Sequence, residues 1–290
     1  QVYGLDFYRD EVQSDAKRNV GAGYVFNAGQ RPVADDSSYD LLGVHAQYHW
    51  QASSAWRVES GVRHTHAAAD LGKRYDANLK KDVSSERDWG HDVFSLRAIR
   101  DVNAKFSLYG GVAEAFRAPN LQDLSGATTA KSGVESGGSV DLQPENSLTY
   151  ELGGRWGGDT VVSQLAVFYT DIADIITDVP VSNGSSTTKA ANGREGYIWG
   201  LEWDGAWQLD SQWSLSAFAA WQKGQTETAL YDGGPIVTEP YSRALPLTGS
   251  LALRWTSAAK RYWIEGRLLA AAEDSRLATS DIADNQRFPS

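Results

Sequence analysis

Five histidines, His45, His49, His64, His66 and His91, are the side chains best placed for chemistry near neutral pH. An imidazole titrates in that range and also ligates metals. His64 and His66 stand two residues apart. On an extended strand that spacing puts both rings on one face. There they could meet a metal or a haem iron, although two ligands are fewer than a site normally needs. The pair is in phase with Trp56 and Val62, so the competing reading is a polar boundary beside an apolar surface. Catalytic constellations do not occur: there is no G-x-S-x-G elbow, no phosphate-binding loop and no H-E-x-x-H. Cysteine is also absent, which removes disulfides, thiolate zinc sites and cysteine nucleophiles together. Neither an enzymatic activity nor a cofactor is expected.

The elements that must position these residues show a period of two. Leu148, Tyr150, Leu152 and Trp156 fall on one face of an extended chain, with Thr149, Glu151 and Arg155 on the other. Trp56, Val58 and Val62 oppose Arg57, Glu59 and Arg63. Tyr197, Trp199, Leu201, Trp203 and Trp207 oppose Glu202 and Asp204, and Leu247, Leu251, Leu253 and Trp255 oppose Thr248, Ser250 and Arg254. A helix would smear each set around its circumference. About eleven strands are expected, over 2–12, 40–51, 55–66, 91–101, 104–116, 147–157, 160–173, 196–208, 212–222, 246–256 and 260–271. Short connections alternate with long ones, the long ones covering 13–39, 67–90, 117–146, 174–195, 223–245 and 272–290. Prolines keep to the long connections or, for Pro246, to a strand start.

Alternating loop length, strands of ten residues or more, and polar faces opposite aromatic ones describe an all-β, antiparallel, up-and-down transmembrane barrel. Glu151, Glu202, Asp204 and Glu265 then read as carboxylates solvated in a wet lumen. No run of 18 apolar residues exists, so a helical span is not expected. The 11 Trp and 13 Tyr outnumber the 8 Phe threefold, and rings with a polar edge suit a membrane–water boundary. A net charge of -10 argues against a nucleic-acid partner. With no methionine, Gln1 is expected to lie inside something longer or after processing. A soluble β-rich carbohydrate-binding protein or enzyme is the alternative outside the membrane, and would bury those rings in a core or cleft.

Several segments resemble the TonB-dependent receptor family. Phe116-Arg117-Ala118-Pro119-Asn120-Leu121 is similar to its FRAP-type box. Leu142-Gln143-Pro144-Glu145 with Tyr150-Glu151-Leu152-Gly153 resembles the following strand entry. Val167-Phe168-Tyr169-Thr170-Asp171-Ile172, Gly196-Tyr197-Ile198-Trp199-Gly200-Leu201-Glu202, Asp274-Ser275-Arg276-Leu277 and Asp284-Asn285-Gln286-Arg287-Phe288-Pro289 continue the series in order.

The resemblance implies that residues 1–290 are part of a 22-stranded barrel, with plug and last strands outside this stretch. It implies a bacterial outer-membrane location and active uptake of a scarce nutrient, a ferric siderophore or related iron chelate. Expected partners are the TonB energy-transducing protein, acting through the plug, the outer-membrane lipids, and a small-molecule metal chelate. A passive porin is the alternative within the membrane class. Arg117 and Asn120 are the expected contacts at the pore mouth, unless the box is a structural turn set by Pro119. No histidine follows His91, so the haem-receptor pattern of a histidine after the box is missing. The loops at 181–196 and 231–234 lack the regular spacing of a calcium loop.

Overall fold

The computed structural model describes residues 1–290 apart from 20, 22, 130–134, 243, 274–275, 280 and 282–290. The Asp284–Pro289 motif, Asp274 and Ser275 therefore lie outside the described residues.

Eleven strands make one continuous antiparallel wall in chain order. They are β1 (Val2–Val12), β2 (Asp35–Gln51), β3 (Trp56–Asp76), β4 (Lys81–Asn103), β5 (Phe106–Arg117), β6 (Glu145–Gly157), β7 (Val161–Ala173), β8 (Glu195–Gln208), β9 (Trp213–Ala229), β10 (Thr248–Thr256) and β11 (Trp263–Ala271). The sheet is open, with β1 and β11 as its edges. No helix among the described residues is long and apolar enough to cross a membrane, a criterion that does not bear on strands.

Register sorts the side chains into two faces. Tyr3, Leu5 and Phe7 of β1 stand opposite Ala46, Val44 and Leu42 of β2. Leu152 and Tyr150 of β6 oppose Val167 and Tyr169 of β7. Leu5 is 69% exposed, Leu152 66% and Leu268 67%, far more apolar exposure than water tolerates over a contiguous surface. This is the lipid-facing side. Trp50, Trp56, Trp156, Trp207, Trp213 and Trp255 belong to it and cluster beside the short turns. Tyr169, Tyr197, Trp199 and Trp221 form a second band, with a Tyr169–Tyr197 stack at 5.8 Å and an edge-on Trp199–Trp221 pair at 4.7 Å. On β8 the stretch 197–207 separates the two bands. It matches the about 9–11 residues a tilted strand uses to cross a bilayer. The opposite face carries Glu59 across from Arg97, Glu151 beside Arg97 at 3.2 Å, and Arg254 with Glu265 at 3.0 Å. Such an inner face is polar because water replaces lipid there.

The short turns are built by side chains that cap amides. Asn103 Oδ1 accepts from the Lys105 and Phe106 amides, and Asp210 Oδ1 accepts from those of Gln212 and Trp213.

The long connections differ from expectation. Residues 67–90 are not a loop: β3 and β4 run on as a 21- and a 23-residue strand and close through residues 77–80. Asp76 Oδ1 accepts from the Asn78 and Leu79 amides, and Lys80 takes φ 52°. Above the membrane nothing apolar needs to face outward, so the sequence loses the alternation that marks a lipid-facing strand. A bulge at Gly72 sits where the Asp36 carbonyl leaves no room for a Cβ. Elsewhere Ile176–Pro180 pairs with Thr188–Asn192, and β9 extends to pair with Ile236–Pro240. Pro180 and Pro240 thus end short ladders instead of lying in loops, positions where a missing amide proton is tolerated. The last two wall strands begin at Thr248 and Trp263, a few residues later than their expected starts, so Pro246 precedes its strand.

Candidate functional site at the outer mouth

The mouth is built where β5 ends. Arg117 is the last residue of β5 and lies opposite Glu145, the first of β6. Its Nε donates to Glu145 Oε2 at 2.6 Å and its Nη2 to Oε1 at 3.1 Å. Its Nη1 donates to Asp123 Oδ2 at 2.9 Å. The paired Glu145 carboxylate, with Asp123 behind it, holds the guanidinium above its ordinary range against the opposing effect of burial. Glu145 Oε1 also accepts the Ile176 amide at 2.6 Å, so one ion pair joins β5, β6 and the segment after β7.

Pro119 is fully buried and turns the chain inward. Asn120 then caps a one-turn helix, α1 (Leu121–Ser125). Its Oδ1 accepts from the Gln122 and Asp123 amides, while Asp123 accepts from the Asn120 amide, a complete capping box. Leu121 and Leu124 of α1 are buried with Leu142, Ala190 and Ala34 against Ala69 and Leu71 of β3. The helix is thus pinned inside the mouth, on the part of the wall that rises above the membrane. Asn192 staples the cap: its Nδ2 donates to the carbonyls of Gln143 and Asp174, and its Oδ1 accepts the Gln143 amide.

A cavity of about 250 Å³ opens in this cap. Asp123, Ile176, Asp178, Thr226, Glu239, Tyr241 and Asp281 are among its lining residues. Burial, with a smaller contribution from Glu145, pushes the Tyr241 hydroxyl above its usual range, so the ring is neutral. A second hollow, about 270 Å³, lies lower on the inner face between Gln47, His49, Glu59, Arg97, Thr149 and Glu151. Beside it Tyr109, 3% exposed, is sandwiched by Arg97 at 4.3 Å and Arg155 at 5.5 Å from its ring centre.

The two candidate pairs lie in different places. Arg117 and Asn120 share the mouth, where the Arg117 guanidinium is paired with Glu145 and Asp123 and Asn120 Oδ1 caps α1. His64 and His66 lie on the lipid-facing side, opposite Asp92 and Gly90, and His64 Nδ1 is 2.8 Å from Asp92 Oδ1. The other histidines scatter: His45 sits 3.7 Å from Asp6, His49 3.5 Å from Glu59, and His91 stacks on Phe116. Among the described residues no group of three histidine or acidic side chains is arranged to hold a metal ion. Sequence reasoning missed Thr226, Glu239, Tyr241 and Asp281, which converge from three separate segments.

Comparison with known proteins agrees with this geometry. The family model for the TonB dependent receptor-like β-barrel matches residues 1–290. A probable TonB-dependent siderophore receptor, PirA of Acinetobacter baumannii, is 31% identical over 212 residues, covering 69% of this chain and 26% of that protein. The iron-regulated outer membrane virulence protein of Vibrio cholerae is 27% identical over 186 residues, 59% of this chain and 28% of its own length. Among solved structures, the copper transporter OprC superposes with a TM-score of 0.75 at 19% identity, over 96% of this chain and 41% of that one. The Serratia marcescens hemophore receptor HasR, solved with its hemophore HasA and heme, gives 0.70 at 18%, over 93% and 48%. The chain spans about a quarter of the curated relatives it matches and less than half of these structures. The up-and-down wall, the two aromatic bands and the family match over the whole stretch lead to one conclusion: this chain is outer-membrane β-barrel sequence and belongs to the TonB-dependent receptor family.

Proposed function

We propose that residues 1–290 are part of the barrel domain of an active-transport receptor that takes up a scarce nutrient, most simply a ferric siderophore or related iron chelate. The observation that carries this reading is the packed cap at the outer mouth, with its polar cavity on the inner side of a lipid-embedded wall. A cap with its own core and its own ion pairs can present fixed groups to a ligand. Similarity to receptors described as siderophore and iron-regulated proteins supports the ligand class.

On this reading the ligand meets the mouth, and the inner-face charges such as Arg63 with Asp6 and Arg97 with Glu151 face the plug. Energy then comes from the TonB protein acting on that plug. Arg117 and Asn120 serve binding by holding the loops that form the cavity. His64 and His66 serve at the lipid headgroup level, where imidazoles and their carboxylate partner are solvated.

The test is growth of a strain lacking the full receptor on single iron sources, with cobalamin and glycans as further arms. Failure on one ferric chelate, restored by the intact gene, is the expected result. Unimpaired growth on every source would contradict active uptake.

A further inference from the structure

The mouth cavity has an apolar and a polar side. Ile175, Ile176 and Ala278 line the first, and Thr226, Glu239 and Tyr241 the second. Asp123, Asp178 and Asp281 also line it but are already engaged. Asp123 is paired with Arg117, and Asp281 accepts from the Ser242 hydroxyl at 2.6 Å and the Ala278 amide at 3.2 Å. Asp178 meets Ser136 at 3.0 Å and makes a further contact. The polar groups left open are mixed in kind. Glu239 Oε2 accepts the Thr279 amide at 2.8 Å, while its Oε1 keeps the capacity to accept. Tyr241, neutral at its hydroxyl, can both donate and accept.

Thr226 is the group that calls for a ligand. It is 5% exposed, it lines the cavity from β9, and its Oγ1 has no hydrogen-bond partner. Buried hydroxyls are nearly always paired, because burial without a partner forfeits the bonds that water gave. Thr226 also stands directly opposite Glu239 in the register of β9 with Ile236–Pro240. Side chains so placed share one face and lie within reach of a single small group.

We infer that the mouth cavity is a subsite for a neutral polyhydroxylated group, a sugar-like ring or polyol arm carried on the transported chelate. A hydroxyl both donates and accepts. Vicinal hydroxyls therefore serve Glu239 as donors and Thr226 and Tyr241 in either sense. An ammonium group only donates, and would leave the two protein hydroxyl protons unused. A carboxylate or phosphate only accepts, and would face Glu239. The C–H face of such a ring packs on the apolar side, against Ile175 and Ile176. At about 250 Å³ the cavity is smaller than the about 300–1,000 Å³ that encloses a whole ligand, so it takes one part of the chelate. The assignment rests on reading the mouth as the receptor's binding face, and it names one chemical group of the cargo.

The experiment uses the full-length receptor purified in lauryldimethylamine oxide, a detergent without sugar hydroxyls. The probe is myo-inositol, with cyclohexanol as its one-hydroxyl counterpart, and saturation-transfer NMR follows the titration. Saturable binding of myo-inositol, clearly tighter than that of cyclohexanol, is expected. Thr226→Val keeps the shape and removes only the hydroxyl. It should weaken myo-inositol binding about threefold, the loss of one neutral hydrogen bond, and Thr226→Ser should restore it. In the ligand-free receptor Thr226→Val should leave amide protection of the cap unchanged or raised, because an unpartnered hydroxyl is gone. A merely structural threonine would instead loosen the cap. Tyr241→Phe serves as a second variant should Thr226→Val misfold, and should weaken binding about threefold as well. Equal binding of the two probes, no myo-inositol binding, unchanged binding in a folded variant, or a loosened cap in Thr226→Val would overturn the assignment. Uptake of the iron chelate by cells is scored separately. A receptor that imports its chelate but ignores myo-inositol retains the transport reading and loses only the hydroxyl subsite.

Discussion

The wall and its outer cap obey different rules. In the wall, a side chain's role follows from whether its position is odd or even. Leu152 faces lipid because its neighbours Glu151 and Gly153 face inward, whatever lies far off in sequence. In the cap, a role follows from contacts between distant segments. Arg117 is held by Glu145 and Asp123, and Leu124 is buried by β3 residues more than fifty positions away. The wall is therefore a periodic solution to a solvent with two phases, whereas the cap is a small globular core set on top of it. One builds a boundary, and the other builds a shape.

The first way to break this comparison is Leu124→Ala. It should open the cap by about 2–5 kcal/mol, as for other buried leucines, and leave the wall intact. Amide exchange of 118–126 against that of β6 to β8 reads the difference. Equal loosening of both regions would mean that the cap has no core of its own. Leu152→Arg attacks the wall instead. Near mid-membrane it should destabilise folding into vesicles by about 2–4 kcal/mol, while Thr149→Arg, on the inner face, should cost far less. Urea titration of the refolded full receptor measures both. Similar losses would contradict the two-sided wall.

Asn120→Ala removes a cap acceptor and should cost about 0.5–2 kcal/mol, confined to α1 and its neighbours. Rescue by Asn120→Ser separates capping from any direct role toward ligand. Should both variants fold and both lose chelate binding alike, Asn120 touches the ligand itself.

The smallest effect concerns pH. The Ser14 amide, helped by Lys73, lowers the Asp35 carboxyl below its usual range, and Asp35 in turn raises Lys73. A depressed carboxylate stabilises above its unfolded pKa and loses that contribution as pH falls through its folded value. The raised lysine stabilises below its unfolded pKa and loses its contribution as pH rises through its folded value. Protection of the Ser14 amide, corrected for intrinsic exchange, should therefore be flat near neutrality and fall at both extremes. Constant protection down to acid pH would remove Asp35 from this link.

The contrast also explains what could be read from sequence. All eleven wall strands were legible, because a lipid-facing residue must recur at every second position and a periplasmic turn must be short. The stretch 67–90 was not. Above the membrane Ala67, Ala69 and Leu71 face inward toward the cap, and no apolar set faces outward, so the strand looks like a polar loop. The FRAP-type box located the mouth, yet not the work its residues do. Glu145 and Asp123 reveal themselves as partners of Arg117 only once the chain has folded. The cavity was invisible for the same reason: Thr226 extends from a wall strand, Glu239 from a short added strand, and Asp281 from the segment after β11.

Everything above depends on alternate wall residues meeting lipid and water. The stretch holds no cysteine, so single cysteines can be placed and labelled within it. Fluorophores at positions 151, 152, 201 and 202 of the full receptor in vesicles would be challenged with a lipid-borne and a water-borne quencher. The account predicts that labels at Leu152 and Leu201 are quenched from lipid, and those at Glu151 and Glu202 from water. Quenching that does not alternate between adjacent positions would contradict it.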